Sequence, residues 1–203
     1  MAEIPPKLRD RRSRLTRDEI LATARRLFAE RGYARTSVRD IAQEAGVSPQ
    51  TVYDSIGSKS ELVARLNDLI DVEAGVPGLA GAMSQSDDPT YVAATSARVT
   101  RGILEHCGDI LRTLVAGSAG EPDLVRVLDE GRRRHLAGAH RVVERLQQLG
   151  ALPPRTNLQE AGQWLAAVND FRIALVLHDT YGWPLDRIEA WLAGESRRLL
   201  LGT

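Results

Sequence analysis

The stretch TSVRDIAQEAGVSPQTVY, residues 36–53, decides the fold of the N-terminal part of the chain. Ser37 is placed to cap a short helix, and Gly46 then supplies a residue that tolerates a left-handed turn. Ser48 and Pro49 follow as a capping hydroxyl and as a proline at the first helical position, where its missing N–H costs nothing. The stretch therefore predicts two short helices joined by a tight glycine turn.

Capping signals also mark the helices on either side of this pair. Thr16 and Glu19 have the spacing of a capping box, which predicts a helix that begins at about residue 17 and ends before Gly32. Ser58 and Glu61 repeat the spacing and predict a fourth helix. The N-terminal part is thus predicted to be a three-helix domain followed by a connecting helix.

The rest of the chain shows helical periodicity, and no strand pattern competes with it convincingly. Residues 74–90 are rich in Gly, Pro, Ser and Asp and are predicted to form a loop. The predicted fold class is therefore all-α. Beyond the loop, helices are predicted at residues 89–107, 109–116, 122–149, 158–178 and 184–200.

The charges are distributed unevenly along the chain. It carries 27 basic and 27 acidic side chains, of which residues 1–60 hold 12 basic and 8 acidic ones. The basic excess is steepest at the very start, as expected of a segment that contacts phosphates. A disordered, solvated tail is the alternative. The basic side chains at the start are Lys7, Arg9, Arg11, Arg12, Arg14 and Arg17.

These patterns divide the chain into three parts. Residues 1–15 are predicted to be a disordered basic arm, and residues 16–57 a helix-turn-helix DNA-binding domain. Residues 58–203 are predicted to be a larger helical domain. A chain of 203 residues with 43% hydrophobic residues is long and apolar enough for two such domains.

A helix-turn-helix pair reads DNA because its second helix fits the major groove while the first crosses the backbone. The apolar positions of the pair leave Gln50, Thr51 and Tyr53 facing outward. Gln50 can pair with an adenine edge through two hydrogen bonds, and the hydroxyl groups of Thr51 and Tyr53 can reach phosphates. The residues predicted to contact DNA are Arg12, Arg14, Thr36, Ser37, Arg39, Ser48, Pro49, Gln50, Thr51, Tyr53 and Lys59.

Four motifs of the N-terminal part resemble the DNA-binding domain of the TetR family of bacterial regulators. They are LFAERGY at 27–33, TSVRDIAQEAGVS at 36–48, TVY at 51–53 and KSEL at 59–62. The segment at 181–202 also resembles the last helical region of many members. The resemblance implies an all-helical homodimer of about nine helices that binds a palindromic operator. Members of the family mostly act as repressors, and their larger domain binds a small molecule. The resemblance implies the same for this chain.

The chain departs from the family pattern just after Tyr53. Members usually carry a His-Phe pair two and three residues beyond this tyrosine, whereas this chain has Ser55 and Ile56. Ser55 removes an imidazole contact to phosphate, and Asp54 adds a negative charge close to the DNA backbone. We therefore expect the affinity for DNA to depend heavily on the basic arm and steeply on the salt concentration.

The larger domain is expected to hold a small, largely apolar effector. Gly131 and Gly138 flank His135 on one predicted helix and leave room for a ligand beside it. The alternative is ordinary core packing, with His135 as a hydrogen-bonded core or interface histidine. The candidate pocket residues are Ser96, Val99, Ile103, His106, His135, Trp164 and Phe171.

The last two predicted helices favour self-association. Residues 158–178 are apolar on every side, and a helix of this kind must be covered on every side. A four-helix bundle formed by two copies of the helix pair would cover them, although both helices could equally be core of a single chain. The residues predicted at the dimer interface are Leu165, Val168, Arg172, Val176, Ile188, Trp191, Leu192 and Leu199.

Other classes of protein are less well supported. The single cysteine, Cys107, excludes an intramolecular disulfide, and the longest strongly apolar run is too short to cross a bilayer, so we expect a cytoplasmic protein. Cys107 adjoins His106, but neighbours on a helix point about 100° apart and no third residue orients them. We therefore expect no enzyme, cofactor or metal site. A helical adaptor with an inactive DNA-reading domain stays open as an alternative.

Overall fold

The computed structural model describes residues 6–202, with side chains from Asp10 onward, and this part of the chain is helical without any strand. The all-α prediction is therefore confirmed. A π-helical turn, Val176–Thr180, interrupts the C-terminal part. The α-helices are α1 (Pro6–Arg31), α2 (Val38–Glu44), α3 (Pro49–Ser55), α4 (Lys59–Glu73), α5 (Val76–Gln85), α6 (Pro89–Ala93), α7 (Thr95–Ser118), α8 (Pro122–Gln148), α9 (Leu158–Val168), α10 (Phe171–Leu175) and α11 (Leu185–Leu201).

The described chain divides into two compact units. The first comprises the residues up to Asp68 together with Asp109–Leu128, and the second comprises Leu69–Gly108 with the residues from Asp129 onward. This division differs from the predicted boundary after residue 57. Most of α4 belongs to the first unit, where its apolar side chains Leu62 and Leu66 are buried.

The first unit is held together by the apolar stripes of its first three helices, which pack on one another. Ile20, Leu27, Ile41 and Val52 have no exposed surface. Phe28 lies against Tyr33 with 5.4 Å between the ring centroids. These contacts fix the orientation of α2 and α3, the two helices of the predicted helix-turn-helix.

Helix α1 begins at Pro6, well before the predicted start near residue 17. Thr16 donates its hydroxyl to the Arg12 carbonyl at 3.0 Å, so it bonds as a residue inside a helix and does not cap one. Good helix formers, Arg and Leu above all, dominate this segment, and no Gly or Pro interrupts it before Gly32. The predicted disorder of residues 1–15 is therefore wrong from residue 6 onward, and residues 1–5 lie outside the described residues.

The other helix starts of the first unit follow the predicted caps. Ser37 caps α2 in a capping box with Asp40, and Ser48 caps α3 ahead of Pro49. The backbone N–H of Ser58 donates to Glu61 at 2.7 Å at the start of α4. Local capping chemistry thus determines where these three helices begin.

Residues 74–90 contain a helix where a loop was predicted. Gly75 adopts the left-handed conformation with φ of 68°, and α5 begins at the next residue. Pro77 lies in the first turn, where its missing N–H is tolerated. Met83 is buried, so α5 contributes to the core of the second unit although its composition is typical of a loop.

Helix α7 continues through the break that was predicted after residue 107. The chain bends at Cys107, whose φ of −133° and ψ of 16° are not helical, and then resumes the same helix. The start also differs, since a separate short helix, α6, ends at Ala93 and α7 begins at Thr95.

The single helix predicted at residues 158–178 is broken near its middle. Asn169 ends α9, and the side chain of Asp170 accepts a hydrogen bond from the backbone N–H of Arg172 at the start of α10. The Asn169 side chain is fully buried, and its Nδ2 donates to the Leu165 carbonyl and to Ser196 Oγ, both at 3.0 Å. Short polar side chains that bond to the backbone compete with a continuous helix.

The core of the second unit brings α8 and α9 very close together. Apolar side chains of these helices pack with Met83, Val92 and Leu200. Gly162 of α9 faces the His140 ring of α8, and a Cβ added at Gly162 would lie 2.2 Å from His140 Nδ1. Only glycine fits this crossing as it stands.

The helices within residues 6–202 are all too short or too polar to serve as a membrane span.

Candidate nucleic-acid interface

Helix α3 turns an apolar side inward and a polar edge outward. Val52 is completely buried, whereas Tyr53 has 51% of its surface exposed. Pro49 and Gln50 are exposed, and Thr51 is half-buried. The predicted outward orientation is confirmed for Pro49, Gln50 and Tyr53 but not for Thr51. Helix α3 has the short, capped form and the polar edge that a groove-reading helix needs.

The cap of α3 uses two of the predicted contact residues. Ser48 Oγ accepts a hydrogen bond from the backbone N–H of Thr51 at 3.0 Å and lies 2.9 Å from the Thr51 hydroxyl. Ser48 thus fixes the N-terminus of α3, and the Thr51 hydroxyl is turned toward this cap.

Gln50 and Asp54 pair on the exposed edge of α3, one helical turn apart. Gln50 Nε2 donates a hydrogen bond to Asp54 Oδ1 at 2.7 Å. A carboxylate therefore lies directly beside the amide that is predicted to read a base.

The start of α2 corrects one predicted contact. Thr36 has only 1% of its surface exposed, and its hydroxyl donates to the Gly32 and Leu27 carbonyls at 2.9 and 3.3 Å. The Thr36 side chain is therefore part of the core of the first unit, and its hydroxyl cannot contact a phosphate. Ser37 and Arg39 are exposed at this end of α2.

Ser37 is also bound to Asp40. The hydroxyl and the backbone N–H of Ser37 donate to Asp40 Oδ2 at 2.6 and 2.9 Å. These hydrogen bonds lower the pKa of Asp40 below its usual value. The start of α2 is therefore rigid, because both groups of the capping box are satisfied.

Lys59 is held against Tyr33. Its ammonium group donates to the Tyr33 carbonyl at 3.0 Å and lies 4.0 Å from the centroid of the Tyr33 ring. The predicted phosphate contact thus has a defined position, which a cation–π contact supports. This contact is outside the reach of sequence patterns, because Tyr33 lies 26 residues earlier in the chain.

Helix α1 contributes arginines to the same unit. Arg12 and Arg14, both predicted contacts, are exposed on α1. The Nε of Arg17 donates to the carbonyl of Ser55, at the end of α3, over 3.2 Å. The sequence predicted Arg17 only as one of the basic residues at the start of the chain. Sequence reasoning missed its closeness to α3 because the helix was predicted to start at that residue.

Ion pairs brace α1 against its neighbours. Arg26 lies 2.6 Å from Glu44 of α2, and Arg25 bonds to both carboxylate oxygens of Asp109 of α7 at 2.6 and 2.8 Å. Burial opposes the ionisation of Asp109, but the hydrogen bonds and charge of Arg25 hold its pKa below the usual value. These pairs fix the helices on which α3 rests.

Known proteins share this arrangement of residues. Residues 20–66 match the model of the tetR family of bacterial regulatory proteins. This segment of the chain is therefore similar to the DNA-binding domain of tetR-family regulators. Over 56 residues it is 43% identical to the transcriptional repressor KstR2 of Mycolicibacterium smegmatis, an overlap that covers 27% of each chain. The match spans about a quarter of the length of the curated relatives, which are transcription regulators and not enzymes.

Solved structures share the fold of this chain over most of its length. The complex of SmeT with triclosan has a TM-score of 0.74 and 22% sequence identity, and the alignment covers 92% of each chain. NalD of Pseudomonas aeruginosa, the secondary repressor of a multidrug efflux pump, has a TM-score of 0.69 and 22% identity. The alignment covers 94% of this chain and 98% of NalD. At this level of identity the likeness shows a common fold.

The structure separates the predicted pocket residues of the larger domain. His106 and Trp164 are exposed, so neither lines an interior pocket. His135 Nε2 donates to the Ala166 carbonyl at 3.0 Å, which favours a hydrogen-bonded packing histidine. Ser96 is buried, whereas Val99, Ile103 and Phe171 are half-buried.

The residues predicted at the dimer interface fall into three groups, which are buried, exposed and half-buried. Leu165, Ile188 and Leu192 are fully buried within the chain, so they are core and cannot face a partner. Val176 and Trp191 are exposed, with 48% and 37% of their surfaces accessible. Arg172 is exposed and paired with Asp170, and Val168 and Leu199 are half-buried. Exposed apolar side chains that the prediction missed in this region are Trp164, Ile173 and Tyr181.

Proposed function

We propose that this chain is a ligand-responsive transcriptional repressor, which binds a palindromic operator as a homodimer and is released by a small, largely apolar effector. The observation that carries the proposal is the exposed polar edge of α3, held over buried Val52 in a domain that matches the tetR family. The names of KstR2 and NalD support repression. The protein would act in the bacterial cytoplasm, where its operator lies.

The proposed DNA contacts come from three places in the first unit. Gln50 and Tyr53 project from α3 toward bases and phosphates, while Ser37 and Arg39 at the start of α2 and Lys59 at the start of α4 supply contacts to the backbone. Arg12, Arg14 and Arg17 of α1 add positive charge. Backbone contacts set the register of a helix in the groove, and the contacts of α3 read the bases.

Substitution of Gln50 is expected to remove sequence discrimination and leave the general attraction to DNA intact. Gel retardation with the chain's own upstream DNA should show a specific complex for the unaltered protein. Gln50→Ala should weaken this complex by about tenfold, because a good bidentate contact to a base is worth on the order of 1–3 kcal/mol. Tyr53→Ala should weaken binding to all sequences instead, since its hydroxyl reaches phosphate.

A matched control is Gln43→Ala, which truncates an exposed glutamine of α2 instead of α3. It should bind like the unaltered chain. If no sequence-specific complex forms even at low salt, the proposed role as a transcriptional regulator is ruled out. The alternative of a helical adaptor with an inactive DNA-reading domain is then favoured.

The effector belongs to the second unit in this proposal. SmeT, whose structure is similar, forms a complex with triclosan. In this chain Ser96, Val99, Ile103 and Phe171 remain candidates for the pocket wall, because they are buried or half-buried, and a mostly apolar wall selects an apolar ligand.

A thermal-shift screen of small apolar molecules tests the effector. A ligand at about a hundred times its Kd stabilises the folded state by roughly 2.7 kcal/mol and must raise the Tm. The same compound should release the protein from its DNA. A compound that raises the Tm and leaves the DNA complex intact would contradict its role as an inducer.

The proposed homodimer rests on the exposed large apolar side chains of the C-terminal elements of the second unit, a set that we call the aromatic face. Its elements, α9, α10, the π-helical turn and α11, are close in the chain, and α9 packs on α11. Large apolar side chains concentrated on a surface mark an association site, and a two-fold axis lets one face bury itself against its copy. The members of the aromatic face are Trp164, Ile173, Val176, Tyr181 and Trp191.

A further inference from the structure

Gln50 and Asp54 form a hydrogen-bonded pair on the edge of α3 that would face DNA under the function proposed above. Gln50 Nε2 donates to Asp54 Oδ1 at 2.7 Å, and both side chains are exposed. Side chains four residues apart meet on one face of a helix, so α3 itself brings the pair together. The base-reading amide is therefore already engaged before any DNA arrives.

The carboxylate fixes which way round the Gln50 amide lies. An amide has an NH2 group that donates two hydrogen bonds and an oxygen that only accepts them, whereas an ionised carboxylate only accepts. A half-turn of the amide would place Gln50 Oε1 against Asp54 Oδ1, and two acceptors at this distance repel. Asp54 thus holds Nε2 on its own side.

The pairing also changes what the amide has left for a base. Asp54 uses one of the two N–H groups, which leaves one donor and the acceptor Oε1. Adenine presents one acceptor, N7, and one donor, the N6 amino group, in the major groove, whereas guanine presents two acceptors, N7 and O6. The remaining groups of Gln50 therefore complement adenine, and the adjacent carboxylate repels the two guanine acceptors.

We propose that Asp54 is a positioning residue, which orients the Gln50 amide so that it selects A·T over G·C at one base pair of each operator half-site. In this role Asp54 contacts no phosphate and acts only through Gln50. The opposing explanation is that the charge of Asp54 merely repels the DNA backbone. That effect would weaken binding to every sequence equally, because phosphate contacts carry no sequence information.

The test compares discrimination with overall affinity in the full-length chain. Selection from a randomised duplex library first defines the site that the unaltered chain prefers. Kd values for that site and for its single base-pair changes are then measured at one salt concentration. The base pair whose discrimination disappears in Gln50→Ala is the one that Gln50 reads.

Two substitutions of Asp54 separate a hydrogen bond from its orienting effect. Asp54→Ala removes the hydrogen bond, whereas Asp54→Asn can still form one but, since its amide both donates and accepts, pairs with either orientation of the Gln50 amide. We expect Asp54→Ala to lower the preference for A·T over G·C at the Gln50 base pair by about tenfold. Asp54→Asn should lose most of the preference as well, because it accepts both orientations of Gln50, and both variants should bind all sequences more tightly.

Two controls complete the design. Glu19→Ala removes a carboxylate from the exposed surface of α1 and should leave every base preference unchanged. In a Gln50→Ala background, Asp54→Ala should cause no further loss of discrimination, because its effect passes through the amide. Circular dichroism and Tm values show that each variant is folded.

The outcomes distinguish this role from the function on which it rests. If the unaltered chain selects no sequence, the proposed function fails and the role of Asp54 fails with it. If the chain selects a site but Asp54→Ala keeps the full preference, only the positioning role is overturned. The same holds if Asp54→Asn keeps the full preference, because an acceptor-only group beside Gln50 is then not required.

Discussion

Asn169→Asp is expected to destabilise the protein by about 3–5 kcal/mol at neutral pH, because it leaves an uncompensated charge in the core. The Asn169 side chain is fully buried, and its Nδ2 donates to the Leu165 carbonyl and to Ser196 Oγ. In the variant an oxygen replaces Nδ2 and meets the Leu165 carbonyl as a second acceptor. Chemical or thermal unfolding followed by circular dichroism measures the loss.

The loss should depend on pH in a defined direction. Burial raises the pKa of the introduced carboxyl in the folded state above the value of about 3.9 that an Asp has in an unfolded chain. Below that value the carboxyl is protonated in both states and the penalty is small. As the pH rises, the unfolded state releases its proton first, so the deficit grows until the folded-state pKa is passed.

Asn157→Asp is the matched control for this prediction. Asn157 caps α9 from an exposed position, and its Oδ1 accepts hydrogen bonds from the backbone N–H groups of Gln159 and Glu160. An Asp accepts the same bonds and its charge favours a helix N-terminus, so this variant should keep or slightly raise the stability. Equal losses of stability in the two variants would contradict the prediction that burial of the charge at position 169 causes the effect.

Val176→Arg is expected to split the proposed homodimer. Val176 lies in the π-helical turn with 48% of its surface exposed, so an arginine fits there without disturbing the fold of one chain. A two-fold axis would place two new charges in the same apolar interface, and juxtaposed like charges cost several kcal/mol. The dimer dissociation constant should rise by roughly a hundredfold, which sedimentation or light scattering measures.

Val125→Arg provides the comparison. Val125 is 41% exposed on the part of α8 that belongs to the first unit, whereas the aromatic face belongs to the second unit. This variant should remain dimeric at concentrations where Val176→Arg is monomeric. A dimer that survives Val176→Arg and dissociates with Val125→Arg would place the interface elsewhere.

Sequence reasoning succeeded where the determinant of structure is local. Ser37, Ser48 and Ser58 each cap the helix that was predicted to follow them, because a cap acts within three residues. Thr16 carries the same signal, yet it lies inside α1, since the good helix formers before it make the longer helix. A cap therefore predicts a start only where the preceding segment cannot itself be helical.

The candidate site was predictable to a similar extent. The outward orientation of Gln50 and Tyr53 follows from the spacing of apolar residues on α3, and both are exposed. The burial of Thr36 and the position of the Lys59 ammonium group against Tyr33 could not be predicted. Both depend on residues of other segments that come close only in the folded chain. The same limit explains why Leu165 was assigned to an interface and lies in the core.

The close crossing of α8 and α9 makes the residues that evolution can accept at positions 140 and 162 depend on each other. The His140 ring occupies the space that any side chain at Gly162 would need. A descendant of this chain could gain a larger residue at position 162 only after, or together with, a smaller one at position 140. Substitutions at these two positions should therefore be strongly epistatic, so that each is harmful alone and tolerated in the other's company.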